Sequence, residues 1–155
     1  MNKSWIANGF TAANALFGGL SIMMSISGEY HVAAICILIA MAADAFDGRV
    51  ARALGTAGPM GVELDSLSDD ISFGVAAGAL MYSYQLRELG AFGFIPCALL
   101  GAFCAFRLAR FNVKVTSVHG YFEGLPCPTV GVIIACYVLS GVKIWNWLAM
   151  VCVLA

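Results

Sequence analysis

The feature that most restricts this chain is a run of acid set into an apolar sequence. The window from Asp44 to Asp69 carries Asp44, Asp47, Glu63, Asp65 and Asp69, and Asp70 adjoins it, out of nine acidic residues in all. Such carboxylates cannot face lipid, because an Asp at the centre of a membrane helix costs about 2.5–3.5 kcal/mol on insertion scales. The surrounding composition demands a membrane setting: 61% of the 155 residues are hydrophobic and 11% charged, where soluble domains average about 45–50% and about 25%. The expected fold is all-α, a polytopic integral membrane helical bundle forming a single domain over residues 1–155. A net charge of −1 and the absence of any long basic run argue against nucleic acid as a partner.

Apolar periodicity predicts six transmembrane helices, at about 5–26, 32–54, 62–86, 90–109, 129–142 and 144–155. The last has 12 residues, about 18 Å of helix against a hydrocarbon core of about 30 Å, so it is expected to be short or truncated. The first span follows Lys3 alone and is longer than a signal-peptide core, which argues against cleavage. Six cysteines without a C-x-x-C pairing sit mostly in apolar runs and read as small hydrophobes. With Lys3 on the cytoplasmic side, alternation puts Arg49, Arg52, Arg107, Arg110 and Lys114 there too, and only Arg87 and Lys143 opposite. That satisfies the positive-inside tendency and turns the acidic window toward the cytoplasm of a cell inner or plasma membrane.

Spacing gives the acids a geometry. Asp44 and Asp47 lie three apart and Asp65 and Asp69 four apart, so each pair projects from one face of its helix. Residues 55–61 hold three glycines and Pro59, a connection that makes the two helices antiparallel neighbours. The carboxylates then converge, and their mutual repulsion calls for cations. Oxygen-only ligands without nearby His or Cys suit Mg²⁺, Mn²⁺ or Ca²⁺ rather than zinc. Two divalent ions fit such a set, an arrangement used for displacement at phosphorus. Gly48 and Ala51 leave bare surface for a phosphate or base, and Arg52 offers a bidentate clamp. Ion pairing of Asp44 or Asp47 with Arg49 or Arg52 would account for only half of the acids, and an ion pathway is a further alternative. Asn8, Thr11 and Asn14 recur every three residues in the first span, as interhelical hydrogen bonders or as one wall of a polar pocket.

The pattern Asp44-x2-Asp47-Gly48-x2-Ala51-Arg52-x8-Gly61-x3-Asp65-x3-Asp69 resembles the CDP-alcohol phosphotransferase signature at every fixed position. Thr11 and Asn14, the run E-L-D-S-L-S-D with S-F-G beyond it, R-L-A-R-F-N at Arg107 to Asn112 and G-L-P-C-P at Gly124 to Pro128 are similar to the membrane-embedded phosphatidylserine synthase branch of that family. The resemblance implies six transmembrane helices, a homodimer, and transfer of a phosphatidyl group from CDP-diacylglycerol to L-serine with release of CMP. It implies Mg²⁺ or Mn²⁺, two ions, held by Asp44, Asp47, Asp65 and Asp69, with Asp69 also the catalytic base. It puts Asn14, Asp44, Gly48, Ala51, Arg52 and Gly61 around the CDP group. Arg107, Arg110 and Asn112 are expected to meet the acceptor or a phosphate; positive-inside anchoring explains the two arginines equally simply. Asp70 is one step, about 100°, from Asp69 and is expected to miss the metals. Glycerol 3-phosphate or an inositol phosphate as acceptor would need a denser basic pocket. A divalent-cation transporter would use the same aspartates but leaves Gly48, Ala51, Arg52 and Gly61 unexplained.

Overall fold

A computed structural model of the chain describes residues 4–54, 58–115, 127–146, 148–149 and 153. It is helical throughout, with no strand among the described residues. Helix α1 (Ser4–Ile26) and helix α2 (Tyr30–Leu54) form an antiparallel hairpin. Gly28 makes the reversal possible with φ at 85°, a left-handed conformation that costs glycine nothing. Small residues line the α1–α2 seam: Ala33, Ala34 and Ala40 are fully buried, and the Ser21 hydroxyl donates to the Ala33 carbonyl at 2.9 Å. In a bilayer, where lipid is as apolar as leucine, such close backbone approach and interhelical hydrogen bonding hold helices together.

Helix α3 (Pro59–Asp69) starts on a proline, whose missing N–H costs nothing at a helix N-terminus. It continues without a break through a π turn (Asp70–Val75) into helix α4 (Ala76–Tyr84). A short 3₁₀ turn (Leu86–Leu89) leads to helix α5 (Ala91–Val115), and helix α6 is Cys127–Ser140. The core lies where α2, α4 and α6 meet, around Ile37, Phe73, Leu80, Ile134 and Val138. Within the π turn Ser72 and Phe73 are enclosed, at 0% and 1% exposure. At the end of the bundle away from the acids, the Tyr137 hydroxyl donates to Gln85 Oε1 and accepts from the Ile144 N–H at 3.0 Å. Gln85 in turn donates to Asn146 Oδ1 at 3.0 Å.

Helices α1, α2 and α5 contain stretches long and apolar enough to cross a membrane, Asn8–Ile26, Tyr30–Val50 and Ala91–Asn112. The chain is therefore a helical membrane protein. The expected third span corresponds to α3, the π turn and α4, and the fifth to the shorter α6. Two boundaries differ from expectation. Gly61 lies inside the first turn of α3 rather than in the connection, because Pro59 starts a helix as readily as it ends one. Helix α5 runs past Asn112 to Val115, since Val113, Lys114 and Val115 include no breaker. The polar stretch beyond, with His119, Glu123 and most of G-L-P-C-P, lies outside the described residues, as does half of the expected sixth span. Of that span, Ala149 and Val153 are buried against the core. The cysteines among the described residues are all free, and Cys36, Cys97, Cys104 and Cys127 are buried.

Candidate active site

Helix α2 delivers Asp44 and helix α3 delivers Asp65 and Asp69, and one carboxylate oxygen from each lies within 4.8 Å of the others. The antiparallel run of α2 into α3 produces this, and the four-residue step between Asp65 and Asp69 keeps both on one face. Asp44 and Asp65 are half-buried, while Asp69 is 8% exposed. Three carboxylates so close, one of them nearly removed from water, repel one another unless a cation intervenes. Oxygens bound to one hard cation at about 2.0–2.6 Å lie at most about 5 Å apart, so the cluster fits such an ion by donor type and by spacing. The Asp47 side chain, the fourth expected ligand, lies outside the described residues, as do the side chains of Ala51 and Arg52.

Gly48 is half-buried one turn beyond Asp44 on α2. Gly61 sits one turn before Asp65, and a Cβ built on it would meet nothing within 4 Å. Packing among the described residues therefore does not require glycine there.

Asn14 reaches the cluster from α1. Fully buried, it donates from Nδ2 to Asp69 Oδ1 at 3.0 Å, so the polar stripe of the first span makes an interhelical bond that lands on the site itself. The backbone carbonyl of Asn14 accepts from the Ser72 hydroxyl at 2.9 Å. Ser72 belongs to the S-F-G run noted in the sequence, where it had no assigned role. The available signal was a hydroxyl placed three residues past Asp69 in an apolar segment.

Of the three residues expected at the acceptor, Asn112 parts from the two arginines. Arg107 is half-buried, with Nη1 3.6 Å from Cys127 Sγ at the start of α6. Arg110 is exposed. Asn112 lies five residues from Arg107, about 140° around the helix. Its amide instead donates to Ser66 Oγ at 3.0 Å. Asn112 and Ser66 share a cavity of about 140 Å³ between α3 and α5 with Glu63 and Asp70. Asp70 thus lies outside the carboxylate cluster.

Comparison with known proteins agrees with this geometry. The family model of CDP-alcohol phosphatidyltransferases matches residues 4–155. The chain is 38% identical over 133 residues to the CDP-diacylglycerol–serine O-phosphatidyltransferase of Helicobacter pylori, covering 85% of this chain and 56% of that protein. It is 40% identical over 130 residues to the archaetidylserine synthase of Methanothermobacter thermautotrophicus, covering 83% and 55%. With the CDP-diacylglycerol–serine O-phosphatidyltransferase of Bacillus subtilis the identity is 38% over 122 residues, covering 78% and 68%. The chain spans a little over half the length of the first two of these proteins. A match over nearly the whole chain, with three of the signature aspartates gathered in one cluster, gives its place: the chain belongs to the CDP-alcohol phosphatidyltransferase family.

Proposed function

We propose that this chain transfers a phosphatidyl group from CDP-diacylglycerol to L-serine, giving phosphatidylserine and CMP. The observation that carries the reading is the cluster of Asp44, Asp65 and Asp69 in a member of this family similar to serine phosphatidyltransferases. Asp44, Asp47, Asp65 and Asp69 would hold one or two Mg²⁺ or Mn²⁺ ions, which when bound neutralise phosphate charge and stabilise the CMP leaving group.

The remaining work falls to the chain's own side chains. An alcohol holds its proton far above neutral pH, so a base within hydrogen-bond reach must take it as attack proceeds. Asp69, the most enclosed of the clustered carboxylates, is that base. The serine oxygen forms a bond to the phosphorus bearing diacylglycerol. The bond from that phosphorus to the CMP oxygen breaks, and the serine proton passes to Asp69. Asn14, Asp44, Gly48, Ala51, Arg52 and Gly61 border the CDP group, and a Cβ at Gly61 would meet nothing within 4 Å. Arg107 and Arg110 receive the serine carboxylate or a phosphate through the guanidinium fork. Asn112, turned toward Ser66, supports that end of α5.

In this reading the site opens to the cytoplasmic face of a cell inner or plasma membrane, the acyl chains stay in the bilayer, and the protein works as a homodimer in one membrane domain. The test is a CMP-release assay on the purified protein with Mg²⁺ or Mn²⁺ and CDP-diacylglycerol, offering serine, glycerol 3-phosphate or inositol phosphate. Release with serine is expected. Release only with a phosphorylated acceptor would overturn serine, and release with none of the three would overturn the enzyme.

A further inference from the structure

We propose that Asn14 and Ser72 form a brace that directs the Asp69 carboxylate, Asn14 by its own hydrogen bond and Ser72 through Asn14. Both are positioning residues, and the proposal rests on the reading of the site given above.

Asn14 is 0% exposed, and its Nδ2 donates to Asp69 Oδ1 at 3.0 Å. An ionised carboxylate only accepts hydrogen bonds, so the amide must turn its N–H₂ toward Asp69. The consequence is visible in the same side chain. Asn14 Oδ1 is buried with no hydrogen-bond partner among the described residues. Packing between α1 and α3 alone would be better served by an apolar side chain of similar volume, which buries no orphaned acceptor. The amide is therefore there for Asp69. With Oδ1 held, Oδ2 is the oxygen left to meet a substrate hydroxyl or a cation.

Ser72 secures the other side of the brace. Also 0% exposed, it donates to the Asn14 carbonyl at 2.9 Å and ties that turn of α1 to the π turn. Gly18, one helical turn along α1, allows the approach: a Cβ there would lie 2.9 Å from Ser72 Cα. Asp69 and Ser72 flank the entry to the π turn, so both ends of the brace fasten to one short piece of chain. A shift of either helix would then move the donor and the carboxylate together.

The experiment uses the purified full chain as wild type, Asn14→Leu, Ser72→Ala and the double variant. Thermal midpoints check folding, Mn²⁺ affinity is read without substrate, and CMP release gives kcat and KM. Loss of an outer-shell partner costs about 10- to 100-fold, so Asn14→Leu is expected to lower kcat by that range and to weaken Mn²⁺ binding. Ser72→Ala should do the same by about 3- to 10-fold, acting one bond further out. The double variant should be no worse than Asn14→Leu alone, because Ser72 acts through Asn14. In Ser72→Ala, which alters no residue bordering the CDP group, KM for CDP-diacylglycerol should stay within about 2-fold. Wild-type kcat and Mn²⁺ affinity in Asn14→Leu would overturn the brace, as would losses that multiply in the double variant or a rise confined to KM for CDP-diacylglycerol in Ser72→Ala. If Asn14→Leu does not fold, Ser72→Ala decides: lowered kcat and Mn²⁺ affinity support the brace, unchanged values overturn it. A wild type that binds Mn²⁺ yet releases no CMP removes the transfer reading alone, and the Mn²⁺ affinities still decide the brace.

Discussion

Asp69 differs from its neighbours in the cluster by enclosure: it is 8% exposed and tied to Asn14, where Asp44 and Asp65 are half-buried. A base benefits from such a setting, because every interaction with the reacting proton is stronger away from water. Asp69→Asn keeps the shape and the neighbouring amide but removes the proton acceptor. It is expected to lower kcat by about 10²–10⁴-fold while CDP-diacylglycerol still binds, measured by CMP release alongside a lipid-binding titration. Near-wild-type turnover would remove the assignment. Arg110→Lys keeps the charge and loses the fork, so serine KM should rise, roughly in line with a lost charged hydrogen bond of about 1.5–3 kcal/mol. At this scale the aspartate cluster was legible, because three- and four-residue steps put side chains on one helical face whatever the helix packs against. The departure of Asn112 from Arg107 and Arg110 was not. All three stand close in sequence, but the helix turns Asn112 toward Ser66 and Arg107 toward Cys127.

The decisive element is the helix that runs from Pro59 to Tyr84 through the π turn at Asp70–Val75. π turns are rare, cluster at functional sites and survive where surrounding packing favours them. Here Phe73 is buried on one side, where a Cβ on Gly131 of α6 would lie 3.1 Å from its Cα, and Ser72 abuts Gly18 of α1 on the other. Gly18→Ala places a methyl against Ser72. It is expected to destabilise by about 1–3 kcal/mol, the usual cost of overpacking, and to lower kcat through the displaced Asp69. Thermal unfolding and CMP release on the same preparation check both parts, and unchanged values of both would show that the seam is loose. Sequence pattern announced a helix over 62–86 but left Pro59 in the connection, whereas the helix starts on it. The pattern carried no sign of the π turn, because one extra residue per turn barely disturbs a stretch as nearly uniformly apolar as 71–81.

Across the whole molecule the chemistry and the stabilising polar network sit at opposite ends. Tyr137 lies ten residues beyond Cys127, about 15 Å along α6, and joins Gln85 to the Ile144 backbone. Tyr137→Phe would leave the Gln85 carbonyl and the Ile144 N–H without this partner. A loss of about 1–3 kcal/mol is expected, read as a lower thermal midpoint, with kcat for CMP release unchanged. A fall in kcat at constant stability would mean that the two ends are coupled. The sequence by itself determined that the chain is a helical membrane protein, where most of its helices lie, and that Asp44, Asp65 and Asp69 belong together. Composition and helical period act locally and survive any arrangement of the helices. Only the tertiary structure decided that Asn14 meets Asp69, that Ser72 fastens Asn14, and that Asn112 turns from the arginines to Ser66. Those contacts join residues 46 to 58 positions apart, and no local period encodes which helix faces which, or at what height.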